Sequence, residues 1–79
     1  MNPDLTEIFE VLQEIKEDEQ TPKIVKQKID KISIIFKENE LNIAAAKAIS
    51  ELEDVTTNST IMPHTRSMLF SVMNLLEQL

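Results

Sequence analysis

The chain contains no glycine, and this absence constrains its fold more than any other feature of the sequence. Phosphate-binding loops require glycine, so a glycine-rich nucleotide loop is excluded. Glycine is also the usual left-handed residue at a helix C-terminus, where asparagine is the next choice. We therefore predict that Asn39 and Asn58 end helices in the left-handed conformation.

Composition excludes several further classes of protein. With 79 residues, no cysteine and a net charge of −6, the chain is predicted to form one domain, residues 1–79, without disulfides, a zinc ribbon or a thiol nucleophile. The acidic balance argues against a general nucleic-acid binder. The longest apolar run, residues 43–46, is far short of the roughly 20 residues of a membrane span. Because the N-terminus does not resemble a signal peptide, a cytoplasmic protein is expected.

Prolines mark the predicted helix starts, because proline is favoured in the first helical turn. Asn2 is predicted to cap a helix that begins at Pro3, and Thr21 one that begins at Pro22. Pro63 begins a further helix, and a polar break separates the second helix from the third. The chain is therefore predicted to form four helices, with Pro22 and Pro63 in structural roles.

Apolar residues recur at helical spacing in each segment. The predicted inward faces of the first three helices are Leu5, Ile8, Phe9, Leu12 and Ile15; Val25, Ile29, Ile32, Ile35 and Phe36; and Leu41, Ala45, Ala48, Ile49, Leu52 and Val55. The remaining phenylalanine and the internal methionines, Phe70, Met62, Met68 and Met73, are also predicted to lie in the core.

Helix 4 differs because its apolar residues spread over roughly 220° of its circumference, taking 100° per residue. A face this wide is more than one layer of partners can cover in a small bundle. Helix 4 is therefore either the most buried helix or part of a subunit interface. The residues predicted for such an interface are Met68, Val72, Leu75 and Leu79, of which Met68, Leu75 and Leu79 form one edge.

The two halves of the chain repeat. At an offset of 40 residues, the apolar positions of helix 1 fall on those of helix 3. Aligning Pro22 with Pro63 requires one inserted residue, which gives an offset of 41 for the second helix of each half. Each half is then an αα-hairpin. Two similar hairpins predict an all-α, antiparallel up-and-down four-helix bundle.

Charge is segregated by helix, and the basic residues cluster in helix 2. Its lysines Lys23, Lys26 and Lys31 form a candidate surface for RNA or another anion. The simpler interpretation is that they pair with the acidic helices on either side. Two residues depart from the helix 2 pattern: Lys28 lies within its apolar arc, and Ile34 lies among its polar residues. Either marks a contact surface, or the helix is rotated.

The other candidate sites have simple structural interpretations. Arg66 is predicted to fix the start of helix 4 through a bidentate pair with an acidic residue of helix 1 or helix 3. His64 suits acid–base chemistry, but an exposed histidine is the simpler interpretation. Paired carboxylates of helix 1 suit a hard cation but lie opposite the apolar stripe; they are Glu7, Glu10, Glu14 and Glu17. No metal or cofactor is predicted.

The second half of the chain also carries a family resemblance. The residues Asp54-Val55, Asn58, Met62-Pro63 and Arg66, followed by an apolar helix ending Leu75-Leu76-Glu77, resemble uncharacterised protein family 0147, a family of short archaeal proteins. The first half is similar as well, with Thr21-Pro22 before a basic helix start. The resemblance implies an all-helical bundle without an assigned activity, so it carries over no functional residues.

From the sequence we predict a non-enzymatic helical interaction module. It is expected to be a homodimer or an accessory subunit that uses the apolar face of helix 4, away from membranes. The alternative is an RNA- or anion-binding protein that uses the helix 2 lysines. An enzyme built on His64 and acidic residues is the third hypothesis. Salt dependence separates the first two, because lysine-driven nucleic-acid binding weakens steeply with salt and apolar association does not.

Overall fold

A computed structural model describes residues 5–58 and 60–79 of the chain. It contains four α-helices, α1 (Leu5–Glu17), α2 (Lys23–Glu38), α3 (Leu41–Thr56) and α4 (Pro63–Glu77). The described residues include no β-strand. The predicted all-α fold is therefore confirmed, whereas the predicted cap and start of helix 1 at residues 2–3 lie outside the described residues.

The helices close into a bundle in which each one contacts two others. Both α1 and α3 pack against α2 and against α4. Phe9 early in α1 meets Phe36 late in α2 edge to face, with ring centroids 5.5 Å apart. Lys16 late in α1 forms an ion pair with Asp30, which lies earlier in α2. These contacts show that α1 and α2 run antiparallel, as the predicted hairpin requires.

Aliphatic side chains from all four helices fill the core. The buried cluster comprises Ile8, Leu12, Ile15, Val25, Ile29, Ile32, Ala48, Leu52, Val55, Ile61, Leu69, Val72 and Leu76. Within each helix these positions recur at three- and four-residue spacing, which confirms the predicted amphipathic pattern. Burial of each large aliphatic side chain contributes about 1.5–3 kcal/mol.

Three residues predicted to be core are exposed instead. Leu41, Met62 and Phe70 keep 44%, 47% and 49% of their surface accessible. Leu41 begins α3 and Met62 precedes α4, so both lie at an end of the bundle beyond the layer that would cover them. Phe70 follows the buried Leu69 and is turned about 100° away from it around the helix.

Thr21 does not cap α2, contrary to the prediction. Its side chain is buried, and its Oγ1 donates a 2.7 Å hydrogen bond to the carbonyl of Ile15. Thr21 thereby fastens the first connection to the end of α1. The N-cap of α2 is Pro22, whose carbonyl accepts hydrogen bonds from the N–H groups of Val25 and Lys26. The start of α4 at Pro63 is confirmed.

The two asparagines predicted to be left-handed are not. No residue within the described ranges has a positive φ. Asn39 is the C-cap of α2 in an extended conformation, with φ −130° and ψ 155°. Both its backbone N–H and its Nδ2 donate to the carbonyl of Ile35. Because this side chain satisfies an orphan carbonyl itself, the helix ends without the left-handed residue that glycine would supply.

Asn58 plays a different part, in a turn that occurs twice in the chain. Its Oδ1 accepts a 2.9 Å hydrogen bond from the N–H of Thr60. Asp18 makes the same bond in the first half, where its Oδ1 accepts from the N–H of Gln20 at 2.9 Å. In both halves the backbone carbonyl of this residue also accepts from the N–H three positions later, that of Thr21 or Ile61. The two hairpins therefore share one turn, built on a short polar side chain.

This shared turn fixes the repeat at a constant offset of 40 residues. Asp18 corresponds to Asn58, Thr21 to Ile61, and the first residue of α2, Lys23, to Pro63. The predicted one-residue insertion is therefore wrong. The error came from aligning the two prolines, because proline is compatible with both the N-cap and the first helical position. Pro22 is an N-cap, whereas Pro63 is the first residue of its helix.

Candidate interaction surface

The predicted interface residues of α4 differ in burial. Val72 is fully buried in the core, so the prediction that it contributes to an interface is wrong. Its side chain is covered because α1 and α3 both pack against α4. Met68, Leu75 and Leu79 are half-buried and pack against the core while keeping accessible surface.

Six accessible apolar side chains lie on α4 or directly beside it, two of them exposed and four half-buried. The group, which we call the α4 surface, consists of Met62, Met68, Phe70, Met73, Leu75 and Leu79. Only Arg66 and Glu77 carry charge within the helix itself. The α4 surface is therefore almost uncharged, in contrast to the acidic outer face of α1. Its two apolar edges lie on either side of an exposed polar strip formed by Ser67, Ser71, Asn74 and Gln78.

The repeat shows where one edge of the α4 surface lies. Met68 occupies the position in the second half that Lys28 occupies in the first. Lys28 contacts α3 through Glu51, which corresponds to Val11 of α1. Met68 is thereby assigned to the contact between α4 and α1. We call this contact the apolar seam and assign to it Val11 of α1, Met68 and Leu75 of α4, and Leu79 just beyond the end of α4, all of them packed on the core.

Phe70 lies on the opposite edge of α4. It corresponds to Asp30, which forms an ion pair with Lys16 across the first hairpin. The equivalent of Lys16 in the second hairpin is Thr56. Because the same backbone position accepts an aspartate in the first hairpin, packing of the fold does not require an aromatic residue there. The exposed ring of Phe70 is therefore available for contact with another molecule.

The helix 2 lysines are divided between pairing and solvent. Lys31 Nζ lies 3.3 Å from a carboxylate oxygen of Glu51, so this lysine is paired although its side chain is largely exposed. Lys28 Nζ donates to Glu51 at 2.7 Å and to Asp54 at 3.2 Å. Lys23 and Lys26 have no ion-pair partner among the described residues. The three lysines predicted to bind an anion therefore do not form one free cluster.

The contacts of Lys28 and Lys31 with Glu51 and Asp54 form what we call the charged seam between α2 and α3. The hydrogen bond with Lys28 holds the pKa of Glu51 below its ordinary value of 4.5. The same bond raises the pKa of Lys28 above 10.5, against the effect of its partial burial. Lys28 lies in the apolar arc of α2 because its stem covers the core edge while its ammonium reaches α3.

Arg66 makes different contacts from those predicted. Its Nη2 donates to the carbonyl of Asn58 at 2.7 Å and approaches that of Ile61 at 3.4 Å. No carboxylate among the described residues pairs with it, so the predicted bidentate ion pair is wrong. These bonds attach the start of α4 to the preceding connection. Its Nε is buried without an acceptor in the part of the chain that the structure describes.

The remaining candidates are not brought together. His64 is exposed in the first turn of α4, and the side chains of Glu10, Glu14 and Glu17 are exposed on α1. Residues 5–58 and 60–79 contain no group of three or more acidic, histidine or cysteine side chains placed to hold a metal ion. The same residues enclose no pocket. None of the described helices is long and apolar enough to cross a membrane.

A second set of exposed apolar residues lies around the short connection between α2 and α3. Ile34 keeps 52% of its surface accessible, Leu41 44% and Ile43 46%. Ile34 is recognisable in the sequence because it interrupts the polar face of α2. Ile43 is not recognisable as exposed in the sequence, because it continues into the apolar run of alanines that follows it.

The geometry thus defines an all-helical bundle of two repeated hairpins, with the almost uncharged α4 surface as its main candidate for binding. The family model of the Uncharacterised protein family (UPF0147) matches residues 1–79. A UPF0147 protein of Archaeoglobus fulgidus is 32% identical over 76 residues, which cover 95% of this chain and 87% of the relative. The chain belongs to the UPF0147 family, as the resemblance implied. No solved structure shows a significant match to it.

Proposed function

We propose that this protein is a non-enzymatic interaction module that self-associates through the α4 surface. The observation that carries the proposal is that six accessible apolar side chains lie on or directly beside the helix with the fewest charged residues. Exposed apolar groups of this kind mark protein contacts. Burial of Phe70 and its neighbours against a second copy would remove apolar area from water at about 25 cal/mol per Å².

A second copy of the chain is the proposed occupant for an electrostatic reason. The chain carries a net charge of −6, so two copies repel each other, and this repulsion is smallest if they meet through an almost uncharged face. Such a face is what α4 presents. A two-fold contact places α4 of one copy against α4 of its partner, where the same residues meet on both sides. We also propose that the protein acts in the cytoplasm, as expected from its sequence.

The test is the mass in solution, measured by light scattering on a sizing column. Wild type is compared with Phe70→Glu and Leu75→Glu, and with the control Ile24→Glu, which alters an exposed isoleucine of α2. We expect a wild-type dimer, a folded monomer for both α4 variants and a dimer for the control. Circular dichroism reports whether each variant stays helical.

A wild-type monomer at every protein concentration reached would refute the proposal. So would a dimer that survives both α4 substitutions unchanged. Phe70→Glu is the more decisive variant because Phe70 is not required by the core, whereas Leu75 is half-buried and its replacement disturbs the apolar seam as well.

Binding of an anion or RNA by α2 is the second candidate. It is favoured by Lys23 and Lys26, which lie one turn apart and lack ion-pair partners in the described ranges. The test is titration of a fluorescent single-stranded RNA at several salt concentrations. Lys23→Glu with Lys26→Glu should abolish binding, whereas the control Lys47→Glu on α3 should leave it unchanged. An affinity independent of salt would contradict this candidate.

A further inference from the structure

The connection between α2 and α3 differs from the other two connections. It consists of Asn39 and Glu40 alone, both extended, with ψ 155° and 161°. Three Cα–Cα steps join Glu38 to Leu41 and span at most about 10–11 Å. Because packed helices lie about 8–10 Å apart, this linker is close to its full length. Short hinges near their limit favour exchange of segments between molecules.

The residues of the linker are compatible with a helix. No proline or glycine occurs between residues 23 and 56, so nothing in the sequence prevents α2 and α3 from joining. The side chain of Glu40 makes no capping hydrogen bond at the start of α3. A continuous helix would give the N–H groups of residues 40–43 the acceptors that every helix start lacks.

If α2 and α3 formed one continuous helix, the exposed apolar residues beside the linker would line up with core residues of the neighbouring helical segment. At 100° per residue, Ile43 would lie in line with Val25, within about 10° of the α2 core stripe. Ile34, which points away from the core in α2, would lie about 40° from Ala48, within the α3 core stripe. The two residues are out of phase with their own helix and in phase with the other.

We infer that α2 and α3 can straighten into one helix and that two copies of the chain then exchange hairpins. The first hairpin of each copy packs against the second hairpin of its partner. Every contact between hairpins re-forms, including the charged seam, now between chains. Ile34, Leu41 and Ile43 become buried where the two long helices cross. This inference goes beyond the proposed function, since it uses the three apolar residues beside the linker and requires no contact through the α4 surface.

The repeat makes the exchange geometrically simple. Both hairpins share one turn and one core pattern at an offset of 40 residues. The bundle therefore consists of two similar units joined by the linker. The closed monomer and the exchanged dimer differ in the linker and in the exposure of the three apolar residues beside it. Their balance is therefore set by protein concentration and by the conformation of residues 39 and 40.

Proline at position 40 tests the inference directly. Glu40 has φ −68°, which proline adopts without strain, and Asn39 has the extended backbone that a residue before proline prefers. Glu40→Pro therefore fits the monomer but interrupts the continuous helix. The matched control is Glu40→Ala, which favours a helix. Both variants and wild type are unfolded in urea, refolded at high concentration and sized by light scattering.

We expect a dimer in wild type and Glu40→Ala, and a dimer association constant at least about a hundredfold lower in Glu40→Pro, from the cost of proline inside a helix. Ile34→Ser should also weaken the dimer, whereas Ile24→Ser, at another exposed position of α2, should not. Equal dimer fractions in the two Glu40 variants would overturn the inference. A dimer lost in Phe70→Glu but kept in Glu40→Pro would overturn it while supporting self-association through the α4 surface.

Discussion

The charged seam and the apolar seam occupy equivalent positions in the two halves of the bundle, yet opposite chemistry closes them. Between α2 and α3, Lys28 reaches Glu51 and Asp54. Between α4 and α1, Met68 and Val11 stand at the positions of Lys28 and Glu51, while Glu14 stands at the position of Asp54. The backbone arrangement therefore specifies only that a long side chain must cover the core edge. Whether that side chain ends in a charge depends on what lies across the seam.

The difference has a consequence for function. An ion pair at the rim of a seam stays solvated and contributes little to association with another molecule. An apolar rim leaves surface that water covers unfavourably. Because α4 carries little charge, its side of the bundle favours association with another molecule, whereas the side formed by the charged seam stays polar. Our proposed function depends on this difference between the two sides.

The largest expected effects test whether the two halves are equivalent in the core. Leu12 and Leu52 occupy matching positions and are 1% and 0% exposed. Leu12→Ala and Leu52→Ala should each lower the free energy of unfolding by about 2–5 kcal/mol, with closely similar values. Urea denaturation followed by circular dichroism gives both numbers. A strongly unequal pair would show that the halves are alike in shape but not in packing.

Arg66 and Lys26 provide a comparison in which the halves should differ. They are equivalent by the repeat, but only Arg66 donates hydrogen bonds to carbonyls of the preceding connection. We expect Arg66→Ala to destabilise the fold by about 1–2 kcal/mol and Lys26→Ala to change it by less than about 0.5 kcal/mol. Thermal or urea unfolding of both variants measures the contrast, and equal effects would contradict it.

Removal of a single charge should affect the charged seam modestly. Lys28→Met places at position 28 the residue that stands at position 68, but it leaves Glu51 with Lys31 as its remaining partner. Because the pair is only half-buried, we expect a loss of about 0.5–1 kcal/mol in the free energy of unfolding. The control Lys23→Met alters a lysine without an ion-pair partner among the described residues and should be neutral. A neutral Lys28→Met would show that the seam contributes nothing.

The smallest effect is the pH dependence of this seam. Because the pKa of Glu51 is lowered, its contribution is present above about pH 4.5 and is lost as the pH falls through the folded value. Because the pKa of Lys28 is raised, its contribution is present below about pH 10.5 and is lost as the pH rises through the folded value. Unfolding free energies of wild type and Lys28→Met should therefore differ at neutral pH and converge in acid. A difference that stays constant from neutral pH into acid would contradict this assignment.

Sequence reasoning located the helices because prolines and apolar spacing are local signals. It failed wherever a partner far along the chain decides the outcome. Lys28 in an apolar arc is explained by Glu51, which lies 23 positions away and which no local pattern indicates. Thr21 resembles a helix cap, but its hydroxyl bonds back to α1. Leu41 follows the core spacing, but the bundle ends beneath it.

The candidate site was predictable only in part, for the same reason. The width of the α4 apolar face follows from composition and spacing. The division of that face into the buried Val72, the half-buried Leu75 and the exposed Phe70 follows from where α1 and α3 pack. The repeat in the sequence indicates which α4 positions are exposed, provided that the two halves are aligned correctly. Alignment on the prolines shifted the second helix of each half by one residue and paired Phe70 with the buried Ile29 instead of the exposed Asp30.

The central claim is that the two seams are structurally equivalent. Replacing residues of the charged seam by their counterparts in the apolar seam tests this claim most directly. Lys28→Met combined with Glu51→Val gives positions 28 and 51 of the charged seam the residues that stand at positions 68 and 11 of the apolar seam. The two single variants complete the thermodynamic cycle. If the two seams are equivalent, the double variant will match or exceed wild-type stability, while each single variant lies below it. A double variant destabilised by the sum of the two single effects would contradict the equivalence of the two seams.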